Sequence, residues 1–396
     1  MRYLVICLLW PLSALAQAPV NQEPVNQGPP NASFSPAFSD QTRAPALPAT
    51  AVGVEVFARG LEHPWGIAAL PDGRFLVTER PGRLRLVGAD GAVSPPVAGV
   101  PQVDARRQGG LLDVAVGPDF ARDRMVWLTY AKRVRGGTVT AAAQGVLAAD
   151  GSRLDDLREV FVQMPPSPTP LHYGARIVFD GRGHVFITTG EHASDAERRL
   201  AQDNATTYGK VIRLAAAGGI PADNPFVGRD GDDAIWSYGH RNVQGAAVDP
   251  RSGLLWTVEH GPRGGDELNQ PVPGGNHGWP LVSYGIDYDG SPIGTGQPRL
   301  EGVEEPVYYW DPVIAPGGMT FYRGDAFGGW RGDLLIGSLN PGALVRLRLD
   351  AGRVTGEERL VTDRGRVRDV EETAGGALLL LIDAPDGEIL RITPRP

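Results

Sequence analysis

The chain repeats one pattern: a short apolar strand, a tight turn, and a second short strand. Residues 65–70 form one apolar run, Pro71-Asp72-Gly73 supplies turn residues, and residues 74–78 resume the strand pattern. Short apolar runs bounded by Gly, Pro and Asp are typical of antiparallel strands. The first strands of six such units begin near Trp65, Leu111, Ala175, Gly245, Met319 and Val367. The spacing is about 58 residues per unit, which indicates a repeated sheet.

Repeated antiparallel sheets of this size predict an all-β fold, a six-bladed β-propeller of four-stranded antiparallel sheets over residues 51–396. A helical pattern is confined to residues 195–203. A large jelly roll is the alternative fold, but its strands do not recur with a fixed spacing. In a propeller, the loops of one face converge on the central channel, so residues from distant repeats share one pocket.

The N-terminus predicts export. Arg2, the apolar run 4–15 and the cleavage motif at residues 14–16 indicate a signal peptide over residues 1–16. The single cysteine, Cys7, lies in this segment, so no disulfide or thiolate ligand is expected in the mature chain. Residues 17–50 are rich in Pro, Asn and Gln and predict a disordered tether. We therefore expect a periplasmic or secreted protein.

The charge pattern argues against two classes of partner. The formal net charge is −8, and no run of basic residues occurs. Nucleic acids and anionic membranes select strongly basic surfaces. The apolar run near the N-terminus is also too short for a typical membrane span. A small-molecule ligand is the better expectation, and the sequence leaves both a monomer and a homodimer open.

A Gly-rich acidic loop follows one of the predicted strands. Residues 259–269 follow the apolar run 254–258 and are too rich in Gly and Pro to continue it. Such a turn presents backbone carbonyls, and Asp266 and Glu267 add negative charge. Calcium prefers carbonyl and carboxylate oxygens. The loop is therefore a candidate calcium site, with a solvated acidic turn as the alternative.

Bulky polar residues stand at the entrances of several first strands. They are Gln108, His172, Arg241, Asn242, Arg366 and Arg368. Gathered at one channel mouth, these guanidinium, imidazole and amide groups suit a planar, polyanionic ligand. Each residue taken alone is more typical of a structural or exposed position; two arginines on one strand usually mark a solvated edge. Their recurrence in separate repeats favours the functional interpretation.

A series of motifs carries a family resemblance over residues 54–394. In order they are Gln108-Gly109-Gly110-Leu111-Leu112-Asp113, His172-Tyr173-Gly174, Gly190-Glu191, Ile235-Trp236-Ser237-Tyr238-Gly239-His240-Arg241-Asn242, residues 259–269, Gly275-Asn276-His277-Gly278-Trp279-Pro280 and Arg366-Val367-Arg368-Asp369-Val370. The chain thereby resembles the soluble sugar dehydrogenases that depend on calcium and pyrroloquinoline quinone (PQQ). It is more similar to their aldose sugar dehydrogenase branch than to soluble glucose dehydrogenase. The fold of that family is a six-bladed β-propeller.

The resemblance implies catalytic roles. His172 is the expected general base, which takes the proton of the sugar C1 hydroxyl. Glu191 is its expected acidic partner, where the soluble glucose enzymes have the shorter Asp. Arg241 is expected to bind the quinone oxygen as hydride arrives. The other implied PQQ contacts are Gln108, Asn242, Tyr288, Tyr309, Trp310, Asn340, Arg366 and Arg368.

The resemblance also implies two calcium ions. The carbonyls of Gly261 and Pro262 are the expected ligands of an ion that touches the quinone and polarises it. Glu267 and the carbonyl of His277 are the expected ligands of a second, structural calcium ion.

Two positions depart from the family pattern. Asn340 and Asp311 stand where the family and its aldose branch, respectively, often have Lys. The loss of two positive charges predicts either weaker PQQ binding or compensation by Arg346 or another nearby cation.

Three functions therefore compete. The first is a periplasmic quinoprotein that oxidises aldoses at C1 to the lactone and passes electrons to an external acceptor. The second is a calcium-dependent lactonase or esterase on the same fold, which would centre its metal on side-chain carboxylates in the channel. The third is a non-catalytic propeller that binds sugar, envelope or a partner protein.

Overall fold

The computed structural model describes residues 23–395 and is a β-propeller of six antiparallel sheets. The predicted signal peptide, residues 1–16, lies outside the described residues. Within residues 23–395, no helix has the length and apolar character needed to cross a membrane. The predicted fold class is thus confirmed.

Short strands make up nearly all of the regular structure. The strands are β1 (Val52–Leu61), β2 (Pro64–Ala69), β3 (Phe75–Glu79), β4 (Arg83–Val87), β5 (Leu111–Val116), β6 (Met125–Val134), β7 (Gly137–Leu147), β8 (Leu154–Val162), β9 (Gly174–Phe179), β10 (His184–Thr189), β11 (Lys210–Ala215), β12 (Ile235–Tyr238), β13 (Val243–Val248), β14 (Leu255–Glu259), β15 (Asp266–Asn269), β16 (Tyr308–Trp310), β17 (Pro316–Phe321), β18 (Leu334–Ser338), β19 (Ala343–Asp350), β20 (Arg353–Leu360), β21 (Val367–Glu372), β22 (Leu378–Ile382) and β23 (Gly387–Pro394). The helical segments are α1 (Phe120–Asp123), α2 (Asp195–Arg198) and a 3-10 turn (Arg199–Gln202). The last two confirm the helix predicted over residues 195–203, whereas α1 was not predicted.

Each sheet is one blade, and the ring is closed by the two ends of the chain. Five sheets are β5 to β8, β9 to β12, β13 to β16, β17 to β20, and β21, β22, β23 with β1. In the last of these, β1 pairs antiparallel with β23, from Val52 opposite Pro394 to Leu61 opposite Gly387. The sixth sheet has β2, β3 and β4, and isolated bridges from Val93 and Val97 continue its outer edge.

The first strand of each blade lines the central channel. Strands β2, β5, β9, β13, β17 and β21 contact one another in a ring. Apolar side chains from facing sheets fill the space between blades; Leu76, Val126 and Leu128 belong to one such cluster. Because the core lies between blades rather than on the axis, polar side chains are free to project into the channel.

A buried ion triad spans the channel. Arg176 on β9 is 5% exposed and donates from Nη1 to Asp113 at 2.8 Å and to Asp369 at 2.9 Å. Its guanidinium also lies over the ring of Trp65, 4.5 Å from the ring centroid. Three blades are thereby joined at the axis. The triad separates the cavity at one mouth from a second cavity at the other.

Residues 28–46, the N-terminal strap, lie against two blades, which differs from the expectation of a disordered tether. The carbonyl of Gln41 accepts from the amide of Tyr309 at 2.8 Å, and Ala46 bridges Glu357 on the next blade. Ala44 is 1% exposed and belongs to a core cluster. Outermost strands leave backbone groups unpaired, so a polar segment gains hydrogen bonds there that composition alone does not predict.

Asp311 anchors this strap. Its carboxylate accepts from the backbone amides of Asn31 and Ala32 at 2.9 Å and from Asn31 Nδ2 at 2.7 Å. Arg43 donates to the carbonyl of Asp311 at 2.8 Å. The carboxylate at this position therefore holds the N-terminus of the described chain.

We expect Asp311→Ala to destabilise the protein by about 1–3 kcal/mol, because it leaves strap amides without their charged acceptor. Urea unfolding measures the loss, and limited proteolysis should cleave the strap sooner. Asp325→Ala is the control, since Asp325 is 86% exposed and pairs only with exposed Arg331, an arrangement that contributes about 1 kcal/mol at most. Equal unfolding midpoints for the two variants would contradict the anchoring role.

Candidate active site

A cavity of about 370 Å³ opens at one mouth of the channel. Its walls come from the entrances of first strands and the exits of second strands in several blades. Predicted site residues in its lining are Gln108, Asn242, Arg366 and Arg368. The cavity is also lined by polar and aromatic residues that were not predicted as site residues. They are His63, Trp65, Arg80, Tyr173, Gln244, His260 and Asp383.

His172 is held beside this cavity by its neighbours. Its backbone φ is 43°, in the left-handed region, a strained conformation for a residue with a side chain that is often found at functional sites. Its amide donates to Oε1 of Gln108 at 2.8 Å. Its Nδ1 lies 3.3 Å from Oε1 of Glu191. Gly190 permits this approach, since a Cβ there would lie 2.0 Å from the carbonyl oxygen of His172.

Burial and charge set the protonation of this pair. Burial, together with the positive charge of Arg241, lowers the pKa of His172 below its ordinary value of 6.5, although Glu191 opposes the change. Burial alone would raise the pKa of Glu191, but attraction to His172 and Arg241 holds it below 4.5. The pair is thus a neutral imidazole beside a carboxylate, which is the state required of a general base.

Arg241 presents its guanidinium next to the pair. It is 6% exposed, donates to the carbonyl of His260 at 3.1 Å, and lies 5.1 Å from the ring centroid of Trp279. Its Nη2 is 3.4 Å from the hydroxyl of Tyr288, which is 68% exposed. Its buried Nε has no hydrogen-bond partner within residues 23–395. Burying an unsatisfied charged donor is costly, so this group fits an anionic or carbonyl ligand.

Arg368 completes the basic side of the cavity. It donates to Oε1 of Gln244 at 2.9 Å and to Asp383 at 3.0 Å. Its Nε is also buried without a partner in the described chain. Arg366 is half-exposed above it and lies 3.4 Å from Asp383. Two unpartnered guanidinium nitrogens in one site are consistent with a ligand that carries several carboxylates.

The loop at residues 259–265 presents free carbonyls. Among the hydrogen bonds of the described residues, none ends on the carbonyl of Gly261 or Pro262. The amide of Gly261 donates to Oδ1 of Asp266 at 2.7 Å, and Oδ2 of Asp266 accepts from Ile314 and Ala315. Burial raises the pKa of Asp266 to about 7. Asp266 therefore shapes the turn, and the carbonyls of the turn fit a hard cation.

Glu267 lies in a second group of buried ligands. Nδ2 of Asn269 donates to both Glu259, at 3.0 Å, and Glu267, at 3.2 Å. Burial and the charge of Glu259 raise the pKa of Glu267 well above 4.5. The ring nitrogens of His277 lack partners in the part of the chain that is described. A small cavity of about 10 Å³ is lined by Glu259, Glu267 and His277. Two adjacent buried carboxylates fit a calcium ion; Glu259 was not predicted as a ligand.

Tyr309, Trp310 and Asn340 are predicted PQQ contacts that do not line the cavity. Tyr309 stacks on Tyr284 at 4.1 Å, and Trp310 is fully buried and donates to Glu357 at 3.2 Å. Both lie on β16, the outermost strand of its blade, and neither lines the cavity. Asn340 is exposed beyond β18, although its neighbour Leu339 lines the cavity. Arg346 does not compensate for it either, because its buried guanidinium pairs with Asp333 and Glu358.

The chain is similar to known sugar dehydrogenases in sequence and in fold. The family model described as glucose / sorbosone dehydrogenase matches residues 61–391. The aldose sugar dehydrogenase YliI of Escherichia coli (strain K12) is 46% identical over 355 residues, which cover 88% of this chain and 95% of that protein. The crystal structure of the soluble aldose sugar dehydrogenase of Escherichia coli in the apo-form has a TM-score of 0.84 and 45% identity, covering 87% of this chain and all of that one.

A PQQ-bound structure is also similar. The aldose sugar dehydrogenase of Streptomyces coelicolor in its PQQ-bound form is 28% identical, with a TM-score of 0.71, and covers 88% of this chain and all of that chain. Fold, site and relatives together define a β-propeller oxidoreductase that acts as a sugar dehydrogenase of the quinoprotein type. The chain belongs to the glucose / sorbosone dehydrogenase family.

Proposed function

We propose that the protein is a periplasmic, PQQ- and calcium-dependent aldose dehydrogenase that oxidises the C1 hydroxyl to the lactone and passes electrons to an external acceptor. The observation that carries the proposal is the buried His172–Glu191 pair, which lies near Arg241 and beside the cavity lined by Arg368. The Nε atoms of both arginines have no partner among residues 23–395. The PQQ-bound relative supports the cofactor. The predicted signal over residues 1–16 supports the location, with residues 51–396 as the catalytic domain.

Each residue has a defined role in this proposal. Nδ1 of His172 faces Glu191, which leaves Nε2 to take the proton of the C1 hydroxyl. The Glu191 carboxylate then stabilises the imidazolium that forms. Bound PQQ supplies the hydride acceptor. Arg241 donates toward the developing negative charge, as fixed donors in a buried site do most effectively.

Those other predicted residues that line the cavity or the two candidate ion sites would hold the cofactor and the ions. Gln108, Asn242, Arg366 and Arg368 line the cavity and supply amide and guanidinium donors for PQQ. The carbonyls of Gly261 and Pro262 would hold a calcium ion, which would supply Lewis acidity at the cofactor. Glu267 and His277, with Glu259, would hold the structural ion.

The cavity chemistry favours a dehydrogenase over a lactonase-type hydrolase. A calcium-centred hydrolase needs side-chain carboxylates that are free to bind the metal. The carboxylate in this cavity, Asp383, is occupied by His63 and Arg368 at 2.8 and 3.0 Å. The cavity therefore suits an anionic ligand better than a catalytic cation held by carboxylates.

A reconstitution titration tests this proposal. Apo protein with calcium, increasing PQQ and a fixed aldose is expected to show saturable reduction of an artificial dye. The same protein with PQQ but a calcium chelator should show little reduction. Saturable lactone hydrolysis without PQQ would instead favour the hydrolase, and absence of both activities would favour the binding protein.

Calcium is expected to stabilise the protein through Glu267. A calcium concentration one hundred times the dissociation constant of the site would add about 2.7 kcal/mol to the free energy of unfolding. The unfolding midpoint of the wild type should therefore rise with calcium, and that of Glu267→Gln should rise much less. Glu304→Gln is the control because Glu304 is exposed. Equal calcium shifts in all three proteins would remove Glu267 from the metal site.

A further inference from the structure

The side chain of Arg80 also lines the cavity, beside the residues assigned to catalysis and cofactor binding. It follows β3 directly, at the exit of a second strand. Its Nη1 donates to the carbonyl of Arg107 at 2.6 Å. Its buried Nε has no partner among residues 23–395. One end of the guanidinium is thus fixed by the backbone, while a strong donor is left for a ligand.

Arg368 lies on the neighbouring blade and is held in a fixed network. Asp383 accepts from Arg368 at 3.0 Å and contacts Nδ1 of His63 at 2.8 Å. His63 has a φ of 48°, so its backbone adopts a strained conformation to place the ring there. The imidazole and the carboxylate thereby fix the orientation of Arg368. Two neighbouring blades therefore each carry a pre-positioned guanidinium at the cavity.

The charges of the cavity lining do not balance without a ligand. Arg80, Arg366 and Arg368 are its guanidiniums, and Asp383 is its carboxylate. Buried guanidinium nitrogens that lack acceptors are costly, whereas bidentate contact with a carboxylate is among the strongest polar interactions. An anionic ligand that contacts both residues would satisfy the Nε atoms of Arg80 and Arg368, which have no partner among residues 23–395.

We propose that Arg80 is a further cofactor ligand, which binds a PQQ carboxylate from the blade next to that of Arg368. This inference rests on the proposed function, because it assumes that PQQ enters the cavity. His63 and Asp383 are positioning residues for Arg368. Arg80 supplies the positive charge that Asn340, which is exposed outside the lining, does not.

Equilibrium binding of PQQ, followed by its fluorescence with calcium but without sugar, tests this proposal. Arg80→Met keeps the aliphatic stem and is expected to weaken PQQ binding about 10- to 100-fold, the range for a lost hydrogen bond to a charged group. Arg80→Lys should recover part of the affinity. Arg364→Met, at a half-exposed arginine outside the cavity lining, is the matched control and should bind as the wild type does.

The trimethyl ester of PQQ separates a ligand from a structural role. If Arg80 binds a carboxylate, wild type and Arg80→Met should bind the ester alike. Arg80→Met affinity equal to wild type, or an equal loss for acid and ester, overturns the proposal. Failure of the wild type itself to bind PQQ refutes the proposed function, and this inference falls with it.

Discussion

Replacing His172 with alanine is expected to lower the turnover of the reconstituted enzyme by about 100- to 10,000-fold, the usual contribution of a positioned general base. The backbone amide of His172 donates to Gln108, and its imidazole lies 3.3 Å from Glu191 beside the cavity. PQQ binding should change little, because the cofactor is held by other residues. Steady-state dye reduction with a saturating aldose measures the effect.

His184→Ala is the matched control for that variant. His184 also pairs with a carboxylate, Asp180, at 2.7 Å, but it begins β10 at the end opposite Glu191. Its removal should leave turnover unchanged. If His172→Ala binds PQQ and keeps more than half of wild-type turnover, His172 is not the base.

The role of His172 as the general base also predicts how turnover depends on pH. The imidazole acts only when neutral, so turnover should fall as acid protonates it. Because burial and Arg241 lower the pKa of His172 below 6.5, the fall should occur below pH 6.5. A midpoint above 6.5 would show that burial does not govern this group.

Replacing Arg176 with methionine is expected to destabilise the protein by about 3–5 kcal/mol, the cost of leaving a buried charge without its partner. Asp113 and Asp369 would then face each other across the channel with no cation between them. Burial, with the charge of Asp369, already raises the pKa of Asp113 to about 7 although Arg176 opposes this. Urea unfolding at neutral pH measures the change.

The control for the triad is Arg122→Met. Arg122 pairs with Asp119 on the surface, with the two side chains 78% and 56% exposed, and such pairs contribute about 1 kcal/mol at most. An Arg176→Met protein as stable as this control would mean that the triad does not hold the blades together.

The sequence predicts the blades well because the pattern that marks each blade lies within a short stretch of the chain. Each first strand is apolar and is followed by a turn, so the unit can be recognised without knowing its neighbours. The closing pair of β1 and β23 was not predicted, since Val52 and Pro394 carry no local sign of their contact. The strap was missed for a related reason: its contacts depend on the edge of β16, not on the composition of the strap.

The site was predicted only in part, and the reason is geometric. The entrance of a first strand and the exit of the second strand lie at the same face of an antiparallel blade. Gln108, His172 and Asn242 were found at entrances, whereas Arg80, His260 and Asp383 stand directly after β3, β14 and β22. The exits of second strands therefore predict site residues as well as the entrances of first strands do, and they point to Arg80, His260 and Asp383. Tyr309 and Trp310 lie outside the cavity lining, and the sequence could not show this because a motif gives sequence order, not distance from the axis.

The absorption spectrum of protein reconstituted with PQQ and calcium tests the central claim most directly. Adding xylose or glucose without an electron acceptor is expected to bleach the band of the oxidised quinone in the wild type, and to do so far more slowly in His172→Ala. A wild-type spectrum that shows bound PQQ but does not change with either sugar would contradict the account.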